Sequence, residues 1–208
     1  CKSSFTNLDL TNLSILLDCA NGATYSVAPS VFRELGAKVH TIGSSPDGIN
    51  INQNCGSTSP DLLKDEIIKG KYDLGIAFDG DGDRILIINS DGTVLDGDDI
   101  LYVLSKDISD KSGVVGTLMT NKALELYFEE SDINFVRADV GDKYVLDRLL
   151  TNSWQLGGEP SGHIICLDSS PTGDAIIAAL KFLQAISKND YSINSSLKGF
   201  KKFPQTLI

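Results

Sequence analysis

Tyr72-Asp73-Leu74-Gly75-Ile76-Ala77-Phe78-Asp79-Gly80-Asp81-Gly82-Asp83-Arg84-Ile85-Leu86-Ile87-Ile88 sets an acidic, glycine-rich loop between two apolar runs. Short apolar runs bounded by turn residues read as strands buried on both faces. The loop cannot simply continue them. Extended backbone would put Asp79, Asp81 and Asp83 on one face, each close pair repelling by about 4 kcal/mol at an effective dielectric near 20. Gly80 and Gly82 can take positive φ and turn the three carboxylates towards one point. A hard divalent cation, which prefers oxygen ligands, makes that convergence favourable, and Arg84 adds positive charge beside it. A solvated acidic turn has the same composition, so the loop alone leaves both readings open.

Working outwards, residues 14–19 form another continuous apolar run. Asn21-Gly22-Ala23-Thr24 breaks it, and Val27, Ala28, Val31, Phe32 and Leu35 then recur at helical spacing before Gly36. Residues 38–42 alternate as a strand, with His40 on the polar face as a surface side chain. Residues 43–58 are a long loop rich in Gly, Asn and Ser around Pro46-Asp47-Gly48, of a length associated with function. Ser59 and Pro60 suit the cap and first position of a helix reaching Lys69, with Gly70 ending it. The strand over 72–78 then delivers the acidic loop at its carboxyl end, where open α/β sheets place ligands. Residues 85–89 and 93–95, joined by Ser90-Asp91-Gly92, read as a hairpin.

A second unit repeats the alternation. A helix over 98–107 carries Ile100, Leu101, Val103 and Leu104 on one stripe, with Asp98 and Asp99 suiting its positive end. A strand over 114–119, a helix over 121–130 and a strand over 133–138 follow. The turn Gly141-Asp142-Lys143 opens a helix over 144–150. Strands over 154–156 and 163–167 flank Gly157-Gly158-Glu159-Pro160-Ser161-Gly162, and a helix over 173–187 has Thr172 as its expected cap. The fold class is therefore α/β: two consecutive α/β domains with mixed sheets flanked by helices, divided as 1–93 and 94–208.

Composition narrows the function classes. Of 208 residues, 41% are hydrophobic and 22% charged, as in an ordinary globular protein, and the net charge is −10. Such a surface repels nucleic acid and anionic membranes, so neither is an expected partner. No apolar run approaches the roughly 18 residues of a membrane span, and no signal-peptide pattern opens the chain. Cys1, Cys19, Cys55 and Cys166 lack the paired spacing of a zinc site. Cys19 and Cys166 read as buried thiols, which suits a reducing cytoplasm. Beginning at Cys1, the sequence reads as a piece of something longer.

The second informative stretch is 157–163. Glu159, Ser161 and His163 alternate, so an extended loop could aim all three at one ligand. An acceptor, a hydroxyl and an imidazole suit vicinal sugar hydroxyls. For the acidic loop, a calcium EF-hand fails, because its sixth and twelfth positions are Arg84 and Ser90 rather than Gly and Glu. A haloacid-dehalogenase-like phosphatase would use Asp79 as nucleophile and Asp81 as acid, with Asp96-Gly97-Asp98-Asp99 offering further ligands. A metal or sugar-phosphate binding module without chemistry is a further alternative.

Together, Asp79-Gly80-Asp81-Gly82-Asp83-Arg84 and Gly158-Glu159-Pro160-Ser161-Gly162-His163 resemble the metal loop and sugar-specificity loop of the α-D-phosphohexomutases. Asp18-Cys19-Ala20-Asn21-Gly22-Ala23, Gly48-Ile49-Asn50-Ile51-Asn52, Val115-Gly116-Thr117-Leu118-Met119 and Val140-Gly141-Asp142-Lys143-Tyr144-Val145 resemble the branch acting on glucosamine phosphates. The resemblance covers nearly the whole chain, in order. It implies domains two and three of a four-domain enzyme, with domains one and four of the same polypeptide supplying a phosphoserine and a phosphate-binding loop. It further implies that Asp79, Asp81 and Asp83 hold Mg2+. Arg84 would steady the phosphoryl group, and Glu159 and Ser161 would read sugar hydroxyls. His163 would support them or relay a proton, and Gly141, Asp142 and Lys143 would form another substrate-facing loop. The expected substrate is a sugar phosphate, glucosamine 6-phosphate or 1-phosphate.

Overall fold

Strands buried almost throughout form the centre of the first sheet. The computed structural model describes residues 5–108 and 112–206, so Cys1 lies outside the described residues. Strands β1 (Ser14–Asp18), β2 (Lys38–Ile42), β3 (Leu74–Phe78), β4 (Ile85–Asn89) and β5 (Val94–Leu95) lie in the order β2-β1-β3-β4-β5. The first three are mutually parallel, and β4 and β5 return antiparallel. Helices α1 (Val27–Glu34) and α2 (Asp61–Lys69) make the crossovers. Leu74, Ile76 and Phe78 of β3 share a core with Phe32 of α1, while Ala77 packs with Leu63 and Ile67 of α2. A strand covered on both faces has no polar face to show, which is why 74–78 is uninterrupted.

The second sheet runs β7-β6-β8-β9, comprising β6 (Gly113–Thr117), β7 (Asn134–Ala138), β8 (Leu156–Gly158) and β9 (Ile164–Cys166). Both β7 and β8 are parallel to β6, and β9 is antiparallel to β8. Around it stand α3 (Gly97–Ser105), α4 (Lys122–Glu130), α5 (Asp142–Asn152), α6 (Ala175–Ser187) and the short α7 (Ile193–Ser196). Every residue of α3 is buried, and α3 and α6 join β4, β8 and β9 in one core that spans both sheets. Two sheets sharing a core cannot slide independently, since each displacement would open voids costing about 1 kcal/mol or more per lost methyl group.

Several expected boundaries move for local reasons. Thr172 does not cap α6. Its own N–H bonds Ser170 Oγ, and Asp174 accepts from the amides of Ile176 and Ile177 instead. Ser59 does not cap α2 either: the helix starts one residue later than expected, Pro60 stands at the N-cap, and no side chain takes the first amides. Strand β8 starts two residues late and absorbs Gly157 and Gly158, and β6 ends at Thr117, leaving Leu118 and Met119 exposed in a turn. Cys19 and Cys166 are buried free thiols, and burial pushes both up to about 12.

The acidic cluster at 96–99 is helix-capping apparatus. Asp96 accepts from the amides of Asp98 and Asp99, and Asp99 returns a bond to the Asp96 amide, a reciprocal capping box. Lys202 bridges Asp96 and Asp99 at 2.7 and 2.6 Å. Asp98 is buried, accepts from the Asn121 amide at 2.8 Å through Oδ2, and leaves Oδ1 without a partner among the described residues. Burial, helped by Asp96 and opposed by the Asn121 bond, pushes the Asp98 carboxyl up to about 7. An unfolded carboxyl titrates near 3.9, so the native state holds an extra proton between about pH 4 and pH 7. Stability from this group therefore falls as pH rises through that window, by up to about 1.4 kcal/mol per pH unit, and is level above it. Urea denaturation of Asp98→Asn should lack this decline, which the unaltered chain should show.

Candidate metal and sugar-phosphate site

The acidic loop is shaped by one of its own carboxylates. Asp79 is buried, and its Oδ1 accepts from the amides of Gly82, Asp83 and Arg84 at 3.2, 3.1 and 3.0 Å. The Asp79 amide in turn reaches the Arg84 carbonyl, closing the loop on itself. Of the two glycines expected to turn the chain, Gly82 takes positive φ, whereas Gly80 does not and is enclosed by Ile51 and Asn52. The result is the expected convergence: one oxygen each from Asp79, Asp81 and Asp83 lie within 4.8 Å of one another.

These residues fit a divalent cation on structural grounds. The donor set is three carboxylates, as hard cations require. Asp83 Oδ1 is buried and has no hydrogen-bond partner among the described residues. A buried carboxylate oxygen without a donor is costly unless something positive meets it. Asp81, by contrast, is exposed and contributes charge without shaping the loop.

The 157–163 stretch meets this loop through backbone pairing. Arg84 and His163 form an antiparallel bridge, and the Ile85 amide bonds the Gly162 carbonyl at 3.1 Å. His163 Nδ1 lies 3.0 Å from Asp83 Oδ2, so the imidazole holds one oxygen of Asp83 while the other stays unpartnered. Contrary to what their spacing predicts, residues 159–163 do not run extended with alternating side chains. The Gly162 amide bonds the Glu159 carbonyl and the Glu159 amide bonds that of His163, making a tight turn between β8 and β9. Glu159 and His163 are buried at its feet and Ser161 is exposed at its corner.

Between the two loops lies a cavity of about 430 Å3 bordered by Asp83, Arg84, Gly141, Asp142, Glu159, Ser161 and His163. Thr117, Met119, Val140 and Pro160 complete its wall. Glu159 Oε1 accepts from the Gly141 amide at 3.0 Å, tying the start of α5 to the turn. Asp142 stands in the first turn of α5 rather than in a loop, and the exposed Lys143 is not on the cavity wall. The Arg84 side chain is exposed and lacks an ion-pair partner among the described residues. A guanidinium, a carboxylate and a hydroxyl facing one cavity can bind an anion and neighbouring hydroxyls together.

Three supports were not foreseen. Asp18 is fully buried, accepts from the amides of Ala20 and Gly56 at 3.0 and 2.7 Å, and is raised above the usual carboxylate range by burial. It pins the 43–58 loop against the turn that follows β1. Arg137 donates to the carbonyls of Thr117 and Thr120, both at 2.8 Å, fixing the turn that carries Met119. Gln205 Nε2 donates to the Met119 carbonyl at 2.9 Å. Each is a side chain joined to distant backbone, which no local pattern announces. The phosphatase reading loses Asp96 and Asp99, which capping and Lys202 engage, while Asp98 is buried with one oxygen on the Asn121 amide.

Comparison with known proteins agrees with the geometry. The family model described as phosphoglucomutase/phosphomannomutase, alpha/beta/alpha domain II, matches residues 2–92, and domain III matches 96–203. A phosphoglucosamine mutase of Acinetobacter baumannii (strain AYE) is 53% identical over 210 residues, covering 100% of this chain and 47% of its own length. The chain thus spans about half the length of the curated relatives it matches. The solved structure of a phosphoglucomutase/phosphomannomutase family protein from Burkholderia thailandensis superposes with a TM-score of 0.85 at 22% identity, over 97% of this chain and 45% of that one. Aspergillus fumigatus N-acetylphosphoglucosamine mutase, solved with GlcNAc-6P and magnesium, gives 0.71 at 21% identity, over 93% and 50%. At such identities the solved structures speak for the fold.

The loop's division of labour is measurable without metal. In a chelator, Asp79→Ala should lower unfolding free energy by about 2 kcal/mol, because three amides lose a charged acceptor. Asp81→Ala should leave it within about 0.5 kcal/mol or raise it, as one of three crowded charges is removed. Denaturant titration of both variants decides; equal losses would contradict this assignment.

Proposed function

The chain belongs to the phosphoglucomutase/phosphomannomutase family, and from that premise we propose that it is the central part of a phosphoglucosamine mutase. The observation that carries this reading is the seam between its halves, where the Arg84–His163 bridge sets the carboxylate loop and the Glu159 turn around one cavity. The identity to the Acinetobacter mutase supports it. So does the related fold's binding of GlcNAc-6P with magnesium. We place the division of the two units at residue 95 rather than 93, because Val94–Leu95 pairs with β4 and Asp96 already caps α3. None of the described helices is long and apolar enough to cross a membrane, and a cytoplasmic setting completes the proposal.

In the reaction assigned to the intact polypeptide, a phosphoserine gives its phosphoryl group to glucosamine 6-phosphate. The resulting 1,6-bisphosphate reorients and returns its other phosphoryl group to the serine, leaving glucosamine 1-phosphate. Asp79, Asp81 and Asp83 would hold Mg2+, which when bound neutralises charge on the transferring phosphoryl group. Arg84, exposed on the cavity wall, would grip phosphoryl oxygens. Glu159, with one oxygen fixed by Gly141, would accept from a sugar hydroxyl through the other, beside Ser161. Gly141 and Asp142 would bound the sugar, with Lys143 exposed beside them. His163 would act by holding Asp83 rather than by relaying a proton, since its Nε2 is buried.

Calorimetric titration of the 208-residue chain should detect Mg2+ binding, weakened by Asp81→Ala at least as much as the roughly tenfold that loss of a supporting partner brings. The same chain should not interconvert glucosamine phosphates, because the phosphoserine lies on another part of the polypeptide. Turnover by the chain alone would sink the proposal, and phosphorylation of Asp79 with hydrolysis of p-nitrophenyl phosphate would put the phosphatase in its place.

A further inference from the structure

The imidazole that holds Asp83 is itself held by a residue with no side chain. His163 is buried, its Nδ1 is 3.0 Å from Asp83 Oδ2, and its Nε2 lacks a partner among the described residues. The far side of the ring rests on Gly173, just ahead of α6. A Cβ on Gly173 would stand 2.2 Å from His163 Nε2 and 2.5 Å from Cε1, inside any permitted contact. Gly173 does not take positive φ, so its need for glycine is one of space. Two residues on, the Ala175 amide donates to the Gly82 carbonyl at 3.0 Å, so the same short segment also grips the metal loop by its backbone.

We infer that Gly173 is a positioning residue of the metal site: by leaving room for the His163 ring, it keeps Nδ1 on Asp83 Oδ2 and Asp83 Oδ1 directed at the cation. The inference rests on the metal reading proposed above. Nδ1 carries the proton in this arrangement, because its neighbour is a carboxylate acceptor. Outer partners that orient a ligand carry about 10- to 100-fold in metal affinity. A methyl group at 173 must push the ring outward or draw the start of α6 away from Gly82, and either movement frees the Asp83 carboxylate to rotate.

The test uses Mn2+ as probe, titrated into the 208-residue chain and followed by electron paramagnetic resonance, with 15N spectra of the imidazoles recorded without metal. The chain has 2 histidines, so the signals of His163 and His40 are readily told apart. Gly173→Ala should weaken Mn2+ binding by about 10- to 100-fold and abolish the fixed Nδ1–H signature of His163. His163→Leu, which leaves Gly173 untouched, should lose as much affinity. His163→Asn keeps a donor at the δ position and is shorter, so it should retain affinity. In that background Gly173→Ala should be silent, a non-additivity that general destabilisation would not produce. Unchanged affinity and an unchanged imidazole signature in Gly173→Ala overturn the inference. If Gly173→Ala does not fold, unchanged affinity in His163→Leu overturns it alone. A chain that binds no Mn2+ yet loses the His163 signature in Gly173→Ala refutes the metal reading while upholding the hold of Gly173 on the His163–Asp83 pair.

Discussion

Three carboxylates with oxygens gathered within 4.8 Å repel one another, and the surrounding structure is arranged to hold them there. Without a counter-ion, each close pair is opposed by a few kcal/mol at the effective dielectric of a protein surface. Local loop preference cannot meet that opposition. The structure meets it by giving one carboxylate to the backbone. Asp79 Oδ1 takes three amide bonds, which fixes the path of 79–84 and converts a repulsive cluster into a turn with an internal anion acceptor. The Asp83 carboxylate is then oriented from outside by His163, and Asp81 is left in water.

Orientation from outside requires the second half of the chain to be rigidly placed against the first. That is the role of the shared core. α3 is buried along its whole length, and α6 packs against β9 while its N-terminal segment touches Gly82 and His163. A flexible linker between two independent units would leave the Arg84–His163 bridge to form and break with every domain motion. Here the bridge extends β4 towards the 159–163 turn, so the site is a seam of hydrogen-bonded backbone rather than a gap between bodies. The capping box at Asp96 belongs to the same construction, because it starts α3 immediately after β5 with no spare chain between them.

The sequence made the layers of the fold legible and much of the site, but not the contacts that assemble it. Apolar runs over 14–19, 72–78 and 85–89 announced the strands Ser14–Asp18, Leu74–Phe78 and Ile85–Asn89 because strands buried on both faces have little polar to show. The carboxylate convergence was legible as one of two readings, because the glycines between the aspartates let the chain turn, while a solvated acidic turn has the same composition. What failed were inferences needing the partner of a side chain. Thr172 and Asp174 are both good caps, and only where the helix starts decides between them: the Asp174 carboxylate takes the amides of Ile176 and Ile177. The 96–99 cluster looked like ligands because composition cannot reveal that Lys202, about a hundred residues away, sits between its carboxylates. Residues 159–163 looked extended because alternation is also what a tight turn shows when its first and last residues are buried.

The acidic loop is thus legible in composition and illegible in mechanics, and the difference lies in which oxygen of each aspartate is already committed. Asp79 and Asp83 each have one oxygen bonded to the protein, through backbone amides and through an imidazole respectively. Each therefore offers a cation a single, directed oxygen in place of a freely rotating carboxylate. Direction of this kind lowers the entropy lost when an ion binds and raises selectivity for the geometry it demands. It also makes the aim of these oxygens depend on residues outside the loop. Asp79, buried, and Asp83, half-buried, are aimed from opposite sides, one by the loop's own backbone and one by the other half of the chain, so their arrangement needs both halves folded. The convergence of these oxygens is therefore a property of the seam, not of the six-residue sequence that first suggested it.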